Sequence, residues 1–206
     1  MKLVIATGNP GKIAEIHHKL KDIPGLELVP RSFFPNLPEP REDGATFREN
    51  AHIKALNTAR RTGLPSMADD SGLEIDALNG RPGVHSARYG GAGATDETRN
   101  RMILEEMRGI ALPMRRARFV CVIAIAFPDG TVHEAQGSCE GVIGFEPRGC
   151  GGFGYDPIFL IPDTGLTMAE IPLDEKNRIS HRAKALEEAR NILLRLSAPR
   201  GQGTPQ

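Results

Sequence analysis

The chain has 206 residues, 39% of them hydrophobic and 25% charged, and its 26 basic side chains balance 26 acidic ones. That length suits one large domain or two lobes sharing a sheet, with a core big enough to need no disulfides. A net charge of zero gives no long-range attraction for a polyanion, which argues against a nucleic-acid strand or an anionic membrane surface as partner.

Lys2 to Ala6 reads as a first strand. It meets a Thr7-Gly8-Asn9-Pro10-Gly11 turn, after which Ile13, Ile16 and Leu20 recur at helical spacing. A Pro-rich connection then leads to Thr46-Phe47-Arg48-Glu49, where Thr46 and Glu49 are spaced to cap each other's backbone donors, with the helix running to about Arg61 and ending at Gly63. Ser66 to Asp69 and Leu73 to Leu78 read as two strands broken at Asp69-Asp70-Ser71-Gly72, which places carboxylates at a strand end. Asp96 to Arg108 is predicted helical, and Arg118 to Phe127 with Thr131 to Ile143 form a hairpin around the Asp129-Gly130 turn. Phe119 to Phe127 is too uniformly apolar for an edge strand, yet its nine residues fall far short of the ~20 needed to span a bilayer. Ile158 to Ile161 is strand-like, and Ser180 caps a last helix whose buried stripe is Leu186, Ala189, Leu193 and Leu196. The segment after Leu196, rich in Pro, Gly and Gln, reads as a flexible tail over 197–206, leaving 1–196 as one domain. Helices and strands interleave early while a hairpin dominates the middle, which points to an α/β or α+β domain around a mixed sheet.

Cys121, Cys139 and Cys150 fit neither a disulfide framework nor paired zinc ligands and read as reduced thiols. With no apolar stretch suited to a signal peptide, the expectation is a soluble cytoplasmic protein.

Four segments look chemical. Thr7-Gly8-Asn9-Pro10-Gly11-Lys12, between strand and helix, reads either as a phosphate cradle or as a plain turn opening a helix. It is no P-loop, because two residues separate Gly8 from Gly11 and Ile13 follows Lys12. Asp69 and Asp70 are adjacent carboxylates that repel unless a cation or a donor network meets them, and Glu39, Glu42 or Asp43 could complete a hard-oxygen site for Mg²⁺; a solvated acidic loop is the alternative. Gly149 to Gly154 satisfies G-x-G-x-x-G, but Tyr155-Asp156-Pro157 and a strand follow instead of a helix, so the dinucleotide reading fails. The loop suits stacking of a flat ring on Phe153 or Tyr155 with an edge contact from Asp156, unless it is an ordinary surface loop. Lys176 and Ser180-His181-Arg182 gather cations at a helix start, which is mildly unfavourable unless an anion lies nearby; a solvated capped helix is the alternative.

Taken together, TGNPGK at 7–12, EDGATFRENAHIKA at 42–55, MADDSGLEIDAL at 67–78, RPGVHSARY at 81–89, GGFGYDPIF at 151–159 and EKNRISHRAKAL at 175–186 resemble the Ham1/RdgB family, the inosine/xanthosine triphosphate pyrophosphatases. The resemblance implies an elongated two-lobed α/β fold on a long mixed β-sheet with a central cleft, assembled as a homodimer. It implies Mg²⁺-dependent hydrolysis of non-canonical purine nucleoside triphosphates to monophosphate and pyrophosphate. Carried over, Thr7, Gly8, Asn9, Pro10, Gly11 and Lys12 cradle the triphosphate, Asp70 activates water and touches the metal, and Glu42 is the second metal ligand, with Glu39 close enough to replace it and Asp69 beside them. Lys54 and Ser71 face the phosphates. Phe153, Gly154, Tyr155 and Asp156 hold the base, while Lys176, His181 and Arg182 reach purine and phosphate oxygens. Within this expectation the lysines and Arg182 form a phosphate pocket set apart from the metal-binding carboxylates. Two other readings remain: a pyrophosphatase for other damaged nucleotides such as modified pyrimidines, and a nucleotide-sensing module without chemistry.

Overall fold

A computed structural model describes residues 1–162 and 164–197. One mixed six-stranded sheet runs through them in the order β2-β1-β3-β4-β5-β6. The strands are β1 (Lys2–Ile5), β2 (Glu27–Pro30), β3 (Ser66–Ile75), β4 (Arg116–Ala126), β5 (Val132–Ile143) and β6 (Phe159–Leu160). β1 lies parallel to β2 and β3, whereas every later pairing is antiparallel. The expected mixed α/β architecture is present.

The helices are α1 (Pro10–Leu20), α2 (Phe47–Thr62), α3 (Asp96–Glu106), α4 (Leu173–Ile179) and α5 (His181–Ser197). Because strand side chains alternate between faces, Met67, Cys121, Ile123 and Ile125 pack on one side with Ile16 and Leu20 of α1 and Leu186, Ala189 and Leu193 of α5. Ala68, Val122, Ala124 and Ala126 pack on the other against Phe47, Ala51, Ala55 and Ala59 of α2. A separate apolar cluster, including Leu73, Ile103, Phe119, Tyr155 and Phe159, fills the far half of the molecule. The strands β3 to β5 thus run past three apolar clusters, and a cleft opens between the two that flank the sheet and the one in the far half.

Several predicted boundaries shift. β3 is continuous from Ser66 to Ile75 and pairs with β4 at every step, so there is no break at Asp69 to Gly72. What ends there is the other neighbour: β1 pairs only with Ser66 and Met67, leaving the β1-side edge of β3 without a strand partner from Ala68 until Leu73 N donates to Ser86 Oγ and Glu74 bridges Pro82. The carboxylates therefore lie in mid-strand. Gly72 is required by close approach, since a Cβ there would stand 2.3 Å from Ser86 Oγ, and not by a turn. The reciprocal cap at α2 is displaced by one residue: Thr46 Oγ1 accepts from Glu49 N at 3.1 Å, but the Glu49 carboxylate accepts from Ala45 N at 2.6 Å. Gly63 closes the helix at φ +67°, as its position predicts. Residues 76–78 form a short 3-10 turn rather than strand, as do 156–158, so the last strand shrinks to Phe159–Leu160. β2 and α4 had no clear pattern in the sequence. Ser180 Oγ accepts from Ala183 N and opens α5, but Leu196 is exposed, and the buried stripe is completed by Ala185 and Ile192. Of the expected tail, Ser197 still belongs to α5, and 198–206 lie outside the described residues. The three cysteines are free, and among the described residues no helix is long and apolar enough to cross a membrane.

Candidate active site

The cleft is a cavity of about 630 Å³ lined from both halves of the molecule, in the size range of ligand pockets. On one side stands the turn into α1. Asn9 caps the helix, its Oδ1 accepting from Gly11 N at 2.9 Å and Lys12 N at 3.3 Å, while Thr7 Oγ1 accepts from Asn9 N at 3.2 Å. Pro10 at the first helical position has no N–H to leave unpaired. The turn is rigid, small and open: a Cβ at Gly8 would meet nothing within 4 Å.

Alternation along β3 turns Asp69 and Asp70 to opposite faces. Asp69 faces α1 and α5, where Lys12 Nζ lies 2.8 Å and Arg182 Nε 3.4 Å from its Oδ2. Burial alone would raise the Asp69 carboxyl, but Lys12, Arg182 and Lys54 overcome it and hold the group well below the usual carboxylate range. Arg182 is itself fixed by three partners, donating to Ser71 Oγ at 2.9 Å and Glu15 Oε2 at 2.9 Å besides Asp69. These contacts offset the cost of a cation at the α5 N-terminus.

Asp70 faces α2. Lys54 Nζ donates to its Oδ1 at 2.9 Å and lies 3.4 Å from Glu42 Oε1, so one ammonium bridges two carboxylates. Burial, followed by repulsion from Glu42, raises the Asp70 carboxyl in spite of Lys54. Burial works against the Lys54 ammonium, yet Asp70, Asp69 and Glu42 together hold its pKa above the ordinary lysine value. Asp70 Oδ2 is buried without a hydrogen-bond partner among the described residues. An orphaned carboxylate oxygen beside Glu42 fits a hard cation, which for Mg²⁺ needs one or two protein carboxylates and completes its shell with waters and substrate phosphates. Of the alternatives for the second ligand, Glu39 is largely exposed and paired with Arg31, Asp43 pairs with Arg41, and Asp69 points to the opposite face.

The far wall is the loop 151–156. Asp156 Oδ2 accepts from Phe153 N at 2.9 Å and from Lys176 Nζ at 2.6 Å, which bends the loop over α4. Truncating either member of this buried pair would strand the other charge, at a cost of about 3–5 kcal/mol. Gly152 is obligatory twice over, with φ +74° and only 2.0 Å between a Cβ and Asp156 Oδ2. The Phe153 ring stays 40% exposed on the cleft, with Lys176 Nζ 4.9 Å and the Arg182 guanidinium 5.6 Å from its centre. Tyr155 departs from expectation: its ring is buried in the far core and its hydroxyl donates to Ser86 O at 2.8 Å, so Phe153 is the ring available for stacking. His181 stacks on Phe119, its ring centre 4.8 Å away, and leaves Nδ1 buried without a partner among the described residues.

Every sequence-predicted site residue from Thr7 to Arg182 lies on this cleft except Pro10, which is set back at the helix start, and Asp43, which pairs with Arg41 outside it. The expected separation of charge does not occur. Lys12, Lys54, Lys176 and Arg182 are each paired with a carboxylate, and the signs interleave across the cleft. The sequence reading missed Glu15, Ser86, Arg88, Asp96 and Arg99, which also line it. Arg88 sits in the RPGVHSARY motif and donates to Glu42 O at 3.3 Å, a signal present in the sequence but not converted into a site residue.

The chain matches the sequence model of the Ham1 family over residues 3–192. It is 55% identical over 186 residues to a dITP/XTP pyrophosphatase of Thermus thermophilus, covering 90% of this chain and 88% of that one. It is 52% identical over 196 residues to a dITP/XTP pyrophosphatase of Desulforamulus reducens, covering 95% and 97%. In three dimensions it is similar to a HAM1 protein from Coxiella burnetii, with TM-score 0.89, 44% identity and coverage of 95% and 99%.

Proposed function

This chain belongs to the Ham1 family, and from that premise we propose that it hydrolyses non-canonical purine nucleoside triphosphates, dITP or ITP and XTP or dXTP, to the monophosphate and pyrophosphate. The reading rests on the names of its relatives and on one observation: a single cavity sets the Asp70, Glu42 and Lys54 cluster across from the exposed Phe153 ring. One end suits a triphosphate and the other a flat base.

In this proposal the purine stacks on Phe153, with Asp156, Lys176 and His181 offering polar groups to its edge. Hypoxanthine and xanthine present O6 and N1–H, whereas adenine presents an amine and a bare N1. A buried donor set for O6 is left unpaired by adenine, a mismatch worth on the order of 10⁴-fold. Guanine shares O6 and N1–H, so its 2-amino group must be excluded by shape.

Water attacks the α-phosphorus, and Asp70 takes its proton while pyrophosphate leaves. Lys12, Lys54 and Arg182 are already oriented by carboxylates and exchange part of that pairing for phosphate oxygens, so little reorganisation is needed as charge develops. Glu42 and Asp70 would hold Mg²⁺, which supplies further neutralisation of the leaving oxygens when bound. The proposal includes what the resemblance implies for assembly and compartment, a homodimer in the cytoplasm, with residues 1–196 as one domain.

Asp70→Asn removes the base but keeps the shape of the side chain. Pyrophosphate release from dITP with Mg²⁺ present is expected to fall by about 10³-fold, while dITP affinity measured by calorimetry stays within about 10-fold. Turnover near the wild-type rate in Asp70→Asn would overturn this assignment. A wild-type chain that binds dITP with Mg²⁺ and never cleaves it would favour the sensing module.

A further inference from the structure

The loop that carries Phe153 is gripped from a helix with no other part in the proposed chemistry. Asp96 and Asn100 are four residues apart and so share one face of α3. Asp96 Oδ2 accepts from Gly154 N at 2.7 Å, and Asn100 Nδ2 donates to Gly154 O at 3.1 Å. Both backbone groups of one glycine are thus held by one helix face, across more than 50 residues of sequence. Gly154 has φ +64°, a conformation that few side-chain-bearing residues adopt.

Asp96 is well placed to hold a peptide N–H. It occupies the first turn of α3, where the helix dipole favours a carboxylate, and Arg99 Nη2 donates to its other oxygen at 2.7 Å. Arg99 is in turn anchored on Ala94 O at 2.6 Å. Asn100 is almost fully buried. From within the loop, Asp156 holds Phe153 N. With the peptide groups on either side of Phe153 fixed, the aromatic ring is the loop's one large exposed feature on the cleft.

We propose that Asp96 and Asn100 are positioning residues that set the stacking ring: their grip on Gly154 holds Phe153 at the angle a purine needs, so α3 governs base binding without touching the base. This rests on the purine subsite proposed above. The two residues act through Phe153 and therefore bear on the base and not on the phosphates.

Pyrophosphate release from dITP is compared for the wild-type chain, Asp96→Ala, Asn100→Ala, Phe153→Ala and the Asp96→Ala/Phe153→Ala double variant. Either single α3 substitution is expected to raise KM about 10-fold with kcat within about 3-fold, and in the Phe153→Ala background Asp96→Ala adds less than about 2-fold. Asp96→Asn, which keeps an acceptor for Gly154 N, should restore most of the loss. Inhibition by inorganic tripolyphosphate, which carries no base, should be unchanged in all α3 variants. Additive losses in the double variant, or tripolyphosphate inhibition weakened in parallel with dITP, would overturn the proposal. Amide hydrogen exchange across 151–156 gives a readout independent of turnover: it is expected to speed up in Asp96→Ala and Asn100→Ala, and unchanged exchange would contradict the grip. Absence of dITP turnover in the wild-type chain would instead sink the functional reading, while the exchange experiment would still decide the role of α3.

Discussion

His181 sits in the first turn of α5, its ring on Phe119 and its Nδ1 facing no partner among the described residues. Burial, and then the neighbouring Arg182 and Lys176, disfavour the imidazolium, and the attraction of Asp69 does not compensate, so its pKa lies well below 6.5. The folded chain therefore resists a proton that the unfolded chain accepts below about 6.5, and stability is present above that pH and lost as pH falls through it. The loss from this one group is at most about 1.4 kcal/mol per pH unit. Melting temperature is expected to drop between pH 7.5 and 5.5, and less steeply in His181→Gln; equal slopes would show that His181 carries no such linkage. At this scale the sequence was informative about which residues meet and silent about how. Asp69 and Asp70 were recognisable as a chemical pair, but their assignment to different faces depends on β3 running unbroken. The pairing of each cation with a carboxylate depends on contacts between residues as distant as Glu15 and Arg182. Tyr155 shows the same limit, since nothing local distinguishes a ring that lines a cleft from one that fills a core.

At the scale of elements, the placement of α5 depends on one glycine in β5, Gly137. A Cβ at Gly137 would stand 2.2 Å from His181 O and 2.6 Å from Ala185 N, both backbone atoms that cannot rotate away. Gly137→Ala must therefore lift the first turn of α5 from the sheet, with an overpacking cost of about 1–3 kcal/mol or more. The expected outcome is a lower melting temperature together with a raised KM for dITP, because that turn carries His181 and Arg182; a variant that melts and turns over like the wild type would contradict the packing. The elements β1, α1, α2, the β4–β5 hairpin and α5 were legible because an apolar pattern, a cap or the Asp129-Gly130 turn marked them, and α3 was placed at 96–108, close to its observed span. β2 and α4 were not: the first is four residues long with one buried side chain, and the second is seven residues long and held by Lys176 rather than by an apolar stripe. The apparent break in β3 arose from reading Asp-Asp-Ser-Gly as turn chemistry, whereas the segment remains strand because β4 pairs with it throughout.

Over the whole molecule, the balance of 26 basic and 26 acidic side chains takes on a different meaning from the one the sequence suggested. The charges do not divide into a cationic pocket and an anionic one. Within the cleft Lys12, Lys54, Lys176 and Arg182 each meet at least one carboxylate, which keeps the cations oriented. In the function proposed for this chain, a free triphosphate competes for several such pairs at once and the purine at its other end stacks on Phe153. The most direct test of that account is pyrophosphate release from dITP, XTP, dATP and dGTP under one set of conditions with Mg²⁺. The expected result is a kcat/KM for dITP and XTP at least about 10²-fold above those for dATP and dGTP. Equal values for all four nucleotides would contradict it.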